Sequence, residues 1–353
     1  MCQRDHAPLV TKGKVTRNLV GEVEQAMKIR IGIALGDFLS GEQQPEALLE
    51  FIDACERWDI DSIWVSDRIA SPRATLDPVV FMAYMASRMR NMKLGTSALV
   101  LPPRQPVVLA KQLATLDFLC KGWLLLVVGI GGDDSRDFMA TGIRKEERGK
   151  RGDEAIALMK KLWTEENVDF RGQFYSVHDL TLLPRPYRKG GPPLWVGGRS
   201  NAAFKRAGRL ADGWLASSVT PAEVAAGIEA IRVHGSESGR QIPDDHYGVL
   251  VPYCFAPTPE DAEKIAGPSI RRRQEIAAQD YCALGTPEQV SEKLSEYIQS
   301  GATKFVMRPY GPKESLPAQV KTLAREVIPA LQTPFSEAER QERGRSTRNK
   351  DAR

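Results

Sequence analysis

One short segment of the chain combines glycines with side chains suited to binding an anion. Gly197-Gly198-Arg199-Ser200 follows an apolar run and precedes a helical pattern. Glycines at such a junction let backbone N–H groups approach a phosphate, and the positive end of the helix dipole favours negative charge there. Arg199 and Ser200 would add a cation and a hydroxyl group. The segment is therefore a candidate phosphate site, although a simple turn would give the same pattern.

A second glycine segment, Gly129-Ile130-Gly131, also follows an apolar run. It lacks the third glycine of the dinucleotide-binding fingerprint G-x-G-x-x-G, because no glycine follows at the required spacing. The sequence therefore does not predict a Rossmann site.

A carboxylate and a guanidinium, Asp67 and Arg68, follow the apolar run that ends at Val65. They could act on a ligand at the end of a strand, and a salt bridge on the rim is the alternative. The chain has four histidines, and none has a partner at metal-ligand spacing. His178 could reach over a site, but a surface position suits it better. If the protein is an enzyme, we expect a cofactor rather than a metal to supply its reactive centre.

The composition fits an ordinary globular chain, with 353 residues of which 42% are hydrophobic and 27% charged. The net charge is +4, and the two ends of the chain carry most of the excess. A nearly neutral body argues against bulk binding of nucleic acid. Five cysteines without C-x-x-C spacing predict a reducing, cytoplasmic environment. No apolar run approaches the roughly 18 residues of a membrane helix, so no membrane association is expected.

Eight short apolar runs alternate with helical patterns. This alternation is typical of parallel strands joined by crossover helices. The fold class predicted is α/β, a (β/α)₈ TIM barrel, with a doubly wound open sheet as the alternative. The eight predicted strands are Lys28–Leu35, Asp61–Ser66, Lys93–Val100, Trp123–Val128, Leu194–Val196, Gly213–Ala216, Tyr247–Phe255 and Lys304–Met307.

The longest interruption, residues 133–193, lies between strands 4 and 5. It contains a helical pattern and a predicted hairpin that turns at Arg171-Gly172. Because barrels do their chemistry at the carboxyl ends of the strands, we expect this insertion at the active-site face. The domains predicted are an N-terminal extension over residues 1–26, thought to be disordered, a barrel domain over residues 27–332, and a charged C-terminal tail over residues 333–353.

Several blocks of the chain, in order, resemble the bacterial luciferase-like flavin-dependent oxidoreductases. The resemblance runs from about Met27 to Leu331. Its blocks are Glu56–Asp67, Lys93–Pro102, Gly129–Gly131, Arg148–Glu154, Pro193–Ser200 and Arg206–Trp214. The resemblance implies a (β/α)₈ barrel that binds a flavin at its C-terminal mouth, usually in a homodimer.

The resemblance also implies the site residues. Asp67 and Arg68 would lie beside the flavin ring as the catalytic pair. The peptide bond between Ser97 and Ala98 would be cis, and the segment from Gly197 to Ser200 would hold the phosphate. The residues implied to bind the cofactor are Ser97, Ala98, Val100, Gly129, Gly131, Gly197, Gly198, Arg199 and Ser200.

Three departures from the family pattern bear on the chemistry. Arg68 stands where many members have histidine, and arginine keeps its proton at any working pH, so it can stabilise an anionic ring but cannot act as an ordinary acid or base. Gly132 stands where some deazaflavin-dependent dehydrogenases carry an acid. The stretch Asp117–Trp123 replaces a common Ser-Gly-Gly-Arg motif, which we expect to alter packing.

These departures favour a monooxygenase that uses reduced FMN and O₂ on a small organic substrate, with a flavin reductase as a possible partner. The alternative is hydride transfer with the deazaflavin coenzyme F-420. A third possibility is a barrel that binds flavin without turnover.

Overall fold

The computed structural model describes residues 27–36, 45–70, 75–132, 136–267, 269–270 and 273–341. Its strands are β1 Arg30–Ala34, β2 Ser62–Val65, β3 Lys93–Thr96, β4 Leu99–Val100, β5 Leu124–Gly129, β6 Val168–Arg171, β7 Ser176–Leu180, β8 Leu194–Gly197, β9 Gly213–Ser217, β10 Tyr247–Phe255, β11 Ala283–Gly285 and β12 Lys304–Pro309.

Eight parallel strands close into a barrel in the order β12-β1-β2-β3-β5-β8-β9-β10, and β10 pairs again with β12. The short strand β4 continues β3 and pairs with β5, and β11 adds to the edge of β10. All eight predicted strands are present, so the predicted TIM barrel is confirmed. Its strands are nearly continuous apolar runs, because crossover helices cover the outer face of a parallel sheet.

The helices surround the barrel. They are α1 Pro45–Arg57, α2 Pro78–Ala86, α3 Pro106–Leu119, α4 Arg136–Ala140, α5 Arg148–Thr164, α6 Asn201–Leu210, α7 Pro221–Ser236, α8 Pro259–Ala266, α9 Ala278–Tyr281, α10 Pro287–Gln299, α11 Leu316–Thr322 and α12 Ile328–Leu331, with a π-helical turn at Leu323–Val327. None of the helices described is long and apolar enough to cross a membrane.

The core of the barrel has two layers, and a separate cluster packs around α8, α9 and β11. The larger lies between the strands and the helices, and the smaller fills the inside of the barrel. The inner layer takes one buried side chain from each of six strands, namely Ala34, Trp64, Val127, Leu215, Leu250 and Val306. These side chains fill the barrel below its C-terminal mouth.

The insertion between strands 4 and 5 has two parts that lie in different places. Its first part stays at the mouth of the barrel and leads into α5. The antiparallel hairpin β6–β7 instead packs against α5, where both carboxylate oxygens of Glu154 accept hydrogen bonds from backbone N–H groups of the turn, including those of Gln173 at 3.0 Å and Phe174 at 2.9 Å. Arg151 lies over the ring of Phe174 at 4.4 Å. The expectation that the whole insertion lies at the active-site face is therefore wrong for the hairpin.

The start of the predicted C-terminal tail contacts the first strand. The hydroxyl of Thr333 accepts a hydrogen bond from the backbone N–H of Ile29 at 2.9 Å, and Arg30 donates to the carboxylate of Glu339 at 2.9 Å. The guanidinium of Arg30 also lies 4.7 Å from the centre of the Phe335 ring. Residues 333–341 thus close the N-terminal end of the barrel. The predicted extension, residues 1–26, and the remainder of the tail lie outside the described residues.

A buried carboxylate, Asp61, balances a group of cations at this N-terminal end. Its side chain is 1% exposed and pairs with Lys304, with Lys93 at 3.3 Å and with Arg30 at 3.8 Å. Burial acts to raise the pKa of Asp61, but the charges of Lys304 and Lys93 outweigh burial and hold this pKa well below its usual value. Burial also lowers the pKa of Lys304 to about 8, against the attraction of Asp61.

Replacing Asp61 by Asn is expected to reduce the free energy of unfolding by about 3–5 kcal/mol, because it leaves buried cations without their counter-charge. Urea unfolding at neutral pH measures the loss. The exposed pair between Asp53 and Arg88 provides the control, and Asp53→Asn should leave the unfolding midpoint unchanged within error.

The difference between the wild type and Asp61→Asn should also depend on pH. A carboxyl whose folded-state pKa lies below its unfolded value of 3.8 contributes its full stability above that value and loses it as the pH falls. The contribution of the Asp61 charge should therefore be lost, and the difference should narrow, below pH ~4. A difference that grows in acid would contradict this assignment.

Candidate active site

A cavity of 690 Å³ opens at the C-terminal mouth of the barrel. Residues from all eight barrel strands, or from the loops that follow them, contribute to its wall. The structure brings together all eleven residues predicted for the site, namely Asp67, Arg68, Ser97, Ala98, Val100, Gly129, Gly131, Gly197, Gly198, Arg199 and Ser200. Their places in the wall are observed, whereas their roles remain predictions.

The carboxylate of Asp67 is fully engaged within the protein. Its side chain is 2% exposed. It accepts hydrogen bonds from the backbone N–H of Val100 at 2.9 Å and from the guanidinium of Arg104 at 3.0 and 3.2 Å. Burial raises the pKa of Asp67, and the bonds from Arg104 oppose that rise. This geometry suits a residue that positions β4 rather than one that exchanges a proton with a ligand.

The floor of the cavity lies where the third strand is interrupted between β3 and β4. The peptide bond between Ser97 and Ala98 is cis, as the resemblance implied. The hydroxyl of Ser97 is buried and has no hydrogen-bond partner in the part of the chain described. A Cβ atom placed on Gly129 or on Gly197 would lie 3.4 or 3.5 Å from the methyl group of Ala98. The two glycines therefore leave room above Ala98 for a flat ligand.

The predicted phosphate cradle has the geometry of an anion site. Ser200 is the N-cap of α6, and its hydroxyl accepts a hydrogen bond from the backbone N–H of Ala203 at 3.3 Å. Gly198 has a φ of +130°, and a Cβ atom there would lie 2.9 Å from the side chain of Ala203. The indole N–H of Trp214 donates to the carbonyl of Gly198 at 2.7 Å, which fixes the turn. Arg199 donates to the carbonyl of Ser218 at 3.0 Å, at the edge of the cavity.

Arg68 lines the cavity and lies beside a second arginine. Its Nη2 atom is 3.7 Å from the position that a Cβ atom would take on Gly132. Arg148, the first residue of α5, donates to the carbonyl of the same Gly132 at 3.0 Å. The two guanidinium groups therefore approach one peptide unit of the wall.

Several lining residues carried no predicted role in the site. Arg148 lies in a block of the resemblance but carried no predicted role. Arg308 was missed because the last strand was predicted to end at Met307, whereas β12 continues to Pro309. Further lining residues without a predicted role are Gly36, Ser66, Thr75, Asp137, Ala203, Ser217, Ser218, Pro252, Ile270 and Tyr310. They come from strands, helices and loops whose meeting in space no spacing in the sequence indicates.

The three described histidines, His178, His234 and His246, lie away from the cavity wall. His178 is on β7, where it pairs with Asp169 and its side chain is 84% exposed. His246 lies at the opposite end of the barrel, 5.5 Å from the ring of Trp195. No group of three or more metal-ligating side chains occurs among the described residues.

Comparison with known proteins gives the family. Residues 29–281 match the luciferase-like monooxygenases. The chain belongs to this family. The match confirms the resemblance to the luciferase-like oxidoreductases.

Curated relatives of the chain fall into two groups by cofactor. An F420-dependent glucose-6-phosphate dehydrogenase of Kineococcus radiotolerans is 34% identical over 196 residues, which is 53% of this chain and 57% of that protein. The enzyme of the same name from Amycolatopsis mediterranei is 26% identical over 335 residues, 85% of this chain and 98% of that protein. An FMNH₂-dependent dimethylsulfone monooxygenase of Pseudomonas putida is 33% identical over 154 residues, 42% of each chain.

Solved structures show the same fold with both cofactors. An F420-dependent secondary alcohol dehydrogenase, in complex with an F420–acetone adduct, superposes with a TM-score of 0.74 at 20% identity, over 87% of this chain and all of that one. The oxygenating constituent of 3,6-diketocamphane monooxygenase from Pseudomonas putida, in complex with FMN, gives a TM-score of 0.71 at 18% identity over the same shares.

Replacing Arg104 by Met should have the same two effects as replacing Asp67 by Asn. Either change breaks the pair that holds β4, so the free energy of unfolding should fall by about 1–3 kcal/mol and the affinity for flavin should fall with it. Urea unfolding and quenching of flavin fluorescence measure the two quantities. Loss of flavin binding in Asp67→Asn alone, with Arg104→Met unaffected, would instead mean that Asp67 contacts the cofactor.

Proposed function

We propose that the protein is a flavin-dependent oxidoreductase whose cofactor binds in the mouth cavity. The observation that carries this proposal is the segment Gly197–Ser200, which places backbone N–H groups, a helix N-terminus and Arg199 at one edge of the cavity. The volume of 690 Å³ lies within the usual range for cofactor sites, about 300–1,000 Å³.

The described residues fit a flavin. The cradle suits its phosphate group, and the open space above Ala98 between Gly129 and Gly197 suits a flat ring. The buried hydroxyl of Ser97 would gain the hydrogen-bond partner that it lacks within the described protein. When bound and reduced, the cofactor supplies the electrons for the reaction. The chain's own residues bind and orient it and shield it from water.

Among the possible reactions, we propose monooxygenation with reduced FMN and O₂ on a small organic substrate. Oxidation of an alcohol by hydride transfer requires a group that accepts the hydroxyl proton. The described wall contains neither histidine nor lysine. Of its two carboxylates, Asp67 is bonded to Arg104 and Asp137 accepts a hydrogen bond from the backbone N–H of Ala70 at 2.6 Å. A flavin reductase would then supply the reduced cofactor.

Hydride transfer with the deazaflavin F420 is the second candidate. It is supported by the relatives that are named as F420-dependent glucose-6-phosphate dehydrogenases, which align with up to 87% of this chain. The two candidates differ in their need for oxygen, since only the monooxygenase requires O₂ for turnover. We further propose a cytoplasmic location, where the four described cysteines would stay free as they are in the structure.

Replacing Arg199 by Met should weaken the binding of FMN by about 10-fold or more, because a charge-assisted hydrogen bond to phosphate contributes about 1.5–3 kcal/mol. Binding of riboflavin, which has no phosphate, should be unchanged. Fluorescence titration with the two flavins measures both affinities.

The control is Lys205→Met, which removes an exposed positive charge from the same helix at a residue outside the wall. It should leave both affinities unchanged. Equal losses for FMN and riboflavin in Arg199→Met would contradict the assignment of this segment to the phosphate.

We also propose that a second copy of the chain covers α2. This helix contains no charged residue, and Phe81 and Met82 on its inner side are buried. Its outer side is apolar as well, with Val80 70% and Tyr84 59% exposed, and Val108 on the neighbouring α3 is 55% exposed. A helix that is apolar all round is normally buried, and one like this on a surface marks an interface.

Replacing Val80 by Glu should convert a homodimer into a monomer, because it places a charge in the apolar contact. Sedimentation velocity measures the change in mass. The control is Val233→Glu, a similarly exposed apolar residue on α7, which should leave the dimer intact. A wild-type protein that sediments as a monomer at micromolar concentration would contradict the proposal.

A further inference from the structure

The guanidinium group of Arg68 carries a charge that the described protein does not balance. Arg68 follows β2, is partly buried and lines the mouth cavity. The hydrogen bond that involves this residue uses its backbone carbonyl, which accepts from the hydroxyl of Thr75 at 3.2 Å. Within the described residues its guanidinium group forms neither a hydrogen bond nor an ion pair. A partly buried cation of this kind strongly favours an anionic partner.

Two more arginines lie on the same side of the cavity. Arg148 reaches the carbonyl of Gly132, next to Arg68. Arg308 on β12 lies 5.4 Å from the ring of Tyr310, and its Nε atom is 3.0 Å from the position of a Cβ atom on Gly36.

The position of Arg68 is separate from the phosphate cradle, the segment Gly197–Ser200. Arg68 follows β2, and Arg308 belongs to β12. These two strands flank β1 in the barrel. The cradle follows β8, and Ser218 at its edge follows β9. In the closed order of eight strands, β8 and β9 lie across the mouth from β1 and β2. An anion at Arg68 would therefore occupy a different part of the cavity from the phosphate.

The carboxylates of the described wall leave Arg68 uncompensated. Asp67 pairs with Arg104, which also reaches Asp77 at 2.9 Å. Asp137 accepts from the backbone of Ala70. A guanidinium group presents paired N–H donors that match the two oxygens of a carboxylate, or of a sulfonate or phosphate group.

We propose that Arg68 binds an oxyanion group of the substrate, so that the protein acts on small organic acids rather than on neutral compounds. This inference rests on the proposed function, because the compound that carries the oxyanion is a substrate only if a flavin occupies the other side of the cavity. Arg68 thereby sets which class of substrate enters the site.

Substitutions at Gly132 test the role of Arg68 directly, because a side chain there would point at Arg68. Apart from Gly132 itself and its two chain neighbours, the described residues place the Nη2 atom of Arg68 and no other atom within 4 Å of a Cβ atom on Gly132. In Gly132→Glu the new carboxylate would pair with Arg68 and neutralise it. In Gly132→Gln a side chain of the same size would leave the charge in place.

The experiment titrates FMN-loaded protein with acetate, methanesulfonate and inorganic phosphate at constant ionic strength, and follows binding by calorimetry and by the flavin absorbance spectrum. We expect saturable binding of at least one of these anions to the wild type and to Gly132→Gln. Affinity should fall at least 10-fold in Gly132→Glu and in Arg68→Met. The FMN affinity and the thermal unfolding midpoint of each variant show whether its cavity is intact.

Three results would overturn the proposal. The first is that none of the three anions binds to the FMN-loaded wild type. The second is binding that survives both Gly132→Glu and Arg68→Met. The third is competition between the anion and FMN together with loss in Arg199→Met, which would assign the anion to the phosphate cradle.

A failure of the proposed function would look different. FMN and the deazaflavin would then both fail to bind, and the same titrations would be run on the flavin-free protein. Anion binding that is lost in Arg68→Met and kept in Arg199→Met would still establish the anion site. Anion binding that is unchanged in Arg68→Met would refute it.

Discussion

The ion pair between Asp67 and Arg104 holds together the parts of the structure on which the site depends. Asp67 follows β2, and its carboxylate binds the backbone N–H of Val100 in β4. Arg104 links that carboxylate to Asp77, which caps α2 through the backbone N–H groups of Val79 and Val80. One buried pair thus fixes the interrupted third strand, the floor of the cavity and the start of the helix proposed as the dimer interface. A displacement of any one of these parts is therefore expected to displace the others, because this pair connects them.

The described carboxylates balance the cations at the N-terminal end of the barrel but do not balance Arg68 at the mouth. At the N-terminal end, Lys304, Lys93 and Arg30 surround Asp61, and Glu339 from the C-terminal segment adds a second carboxylate. At the mouth, the described carboxylates are bonded elsewhere and leave Arg68 facing the cavity. Compensated charge at the closed end serves stability, because removing a partner exposes buried cations to an apolar interior. Uncompensated charge at the open end is what a site for anionic ligands requires.

The barrel could be predicted because its signal is local. Eight apolar runs are read directly from neighbouring residues. The Thr-Pro starts of α7, α8 and α10 are equally local, and Thr220 and Thr286 form capping boxes there. The site residues could be predicted as a set because parallel strands bring their carboxyl ends together. Their individual roles could not. That Asp67 is bonded to Arg104 depends on a contact between residues 37 positions apart. The position of the hairpin likewise depends on Glu154 binding a turn some twenty residues later.

The most direct test of the account is an anaerobic titration of the purified protein with reduced FMN and, separately, with reduced F420, followed by admission of O₂ in the presence of a small carboxylate or sulfonate. We expect that one reduced FMN binds per chain, that Arg199→Met weakens this binding, and that the organic acid is converted only after O₂ is admitted. Failure of both cofactors to bind would contradict the central claim that the mouth cavity is a flavin site. Selective binding of F420 with conversion in the absence of O₂ would contradict the monooxygenase and establish hydride transfer in its place.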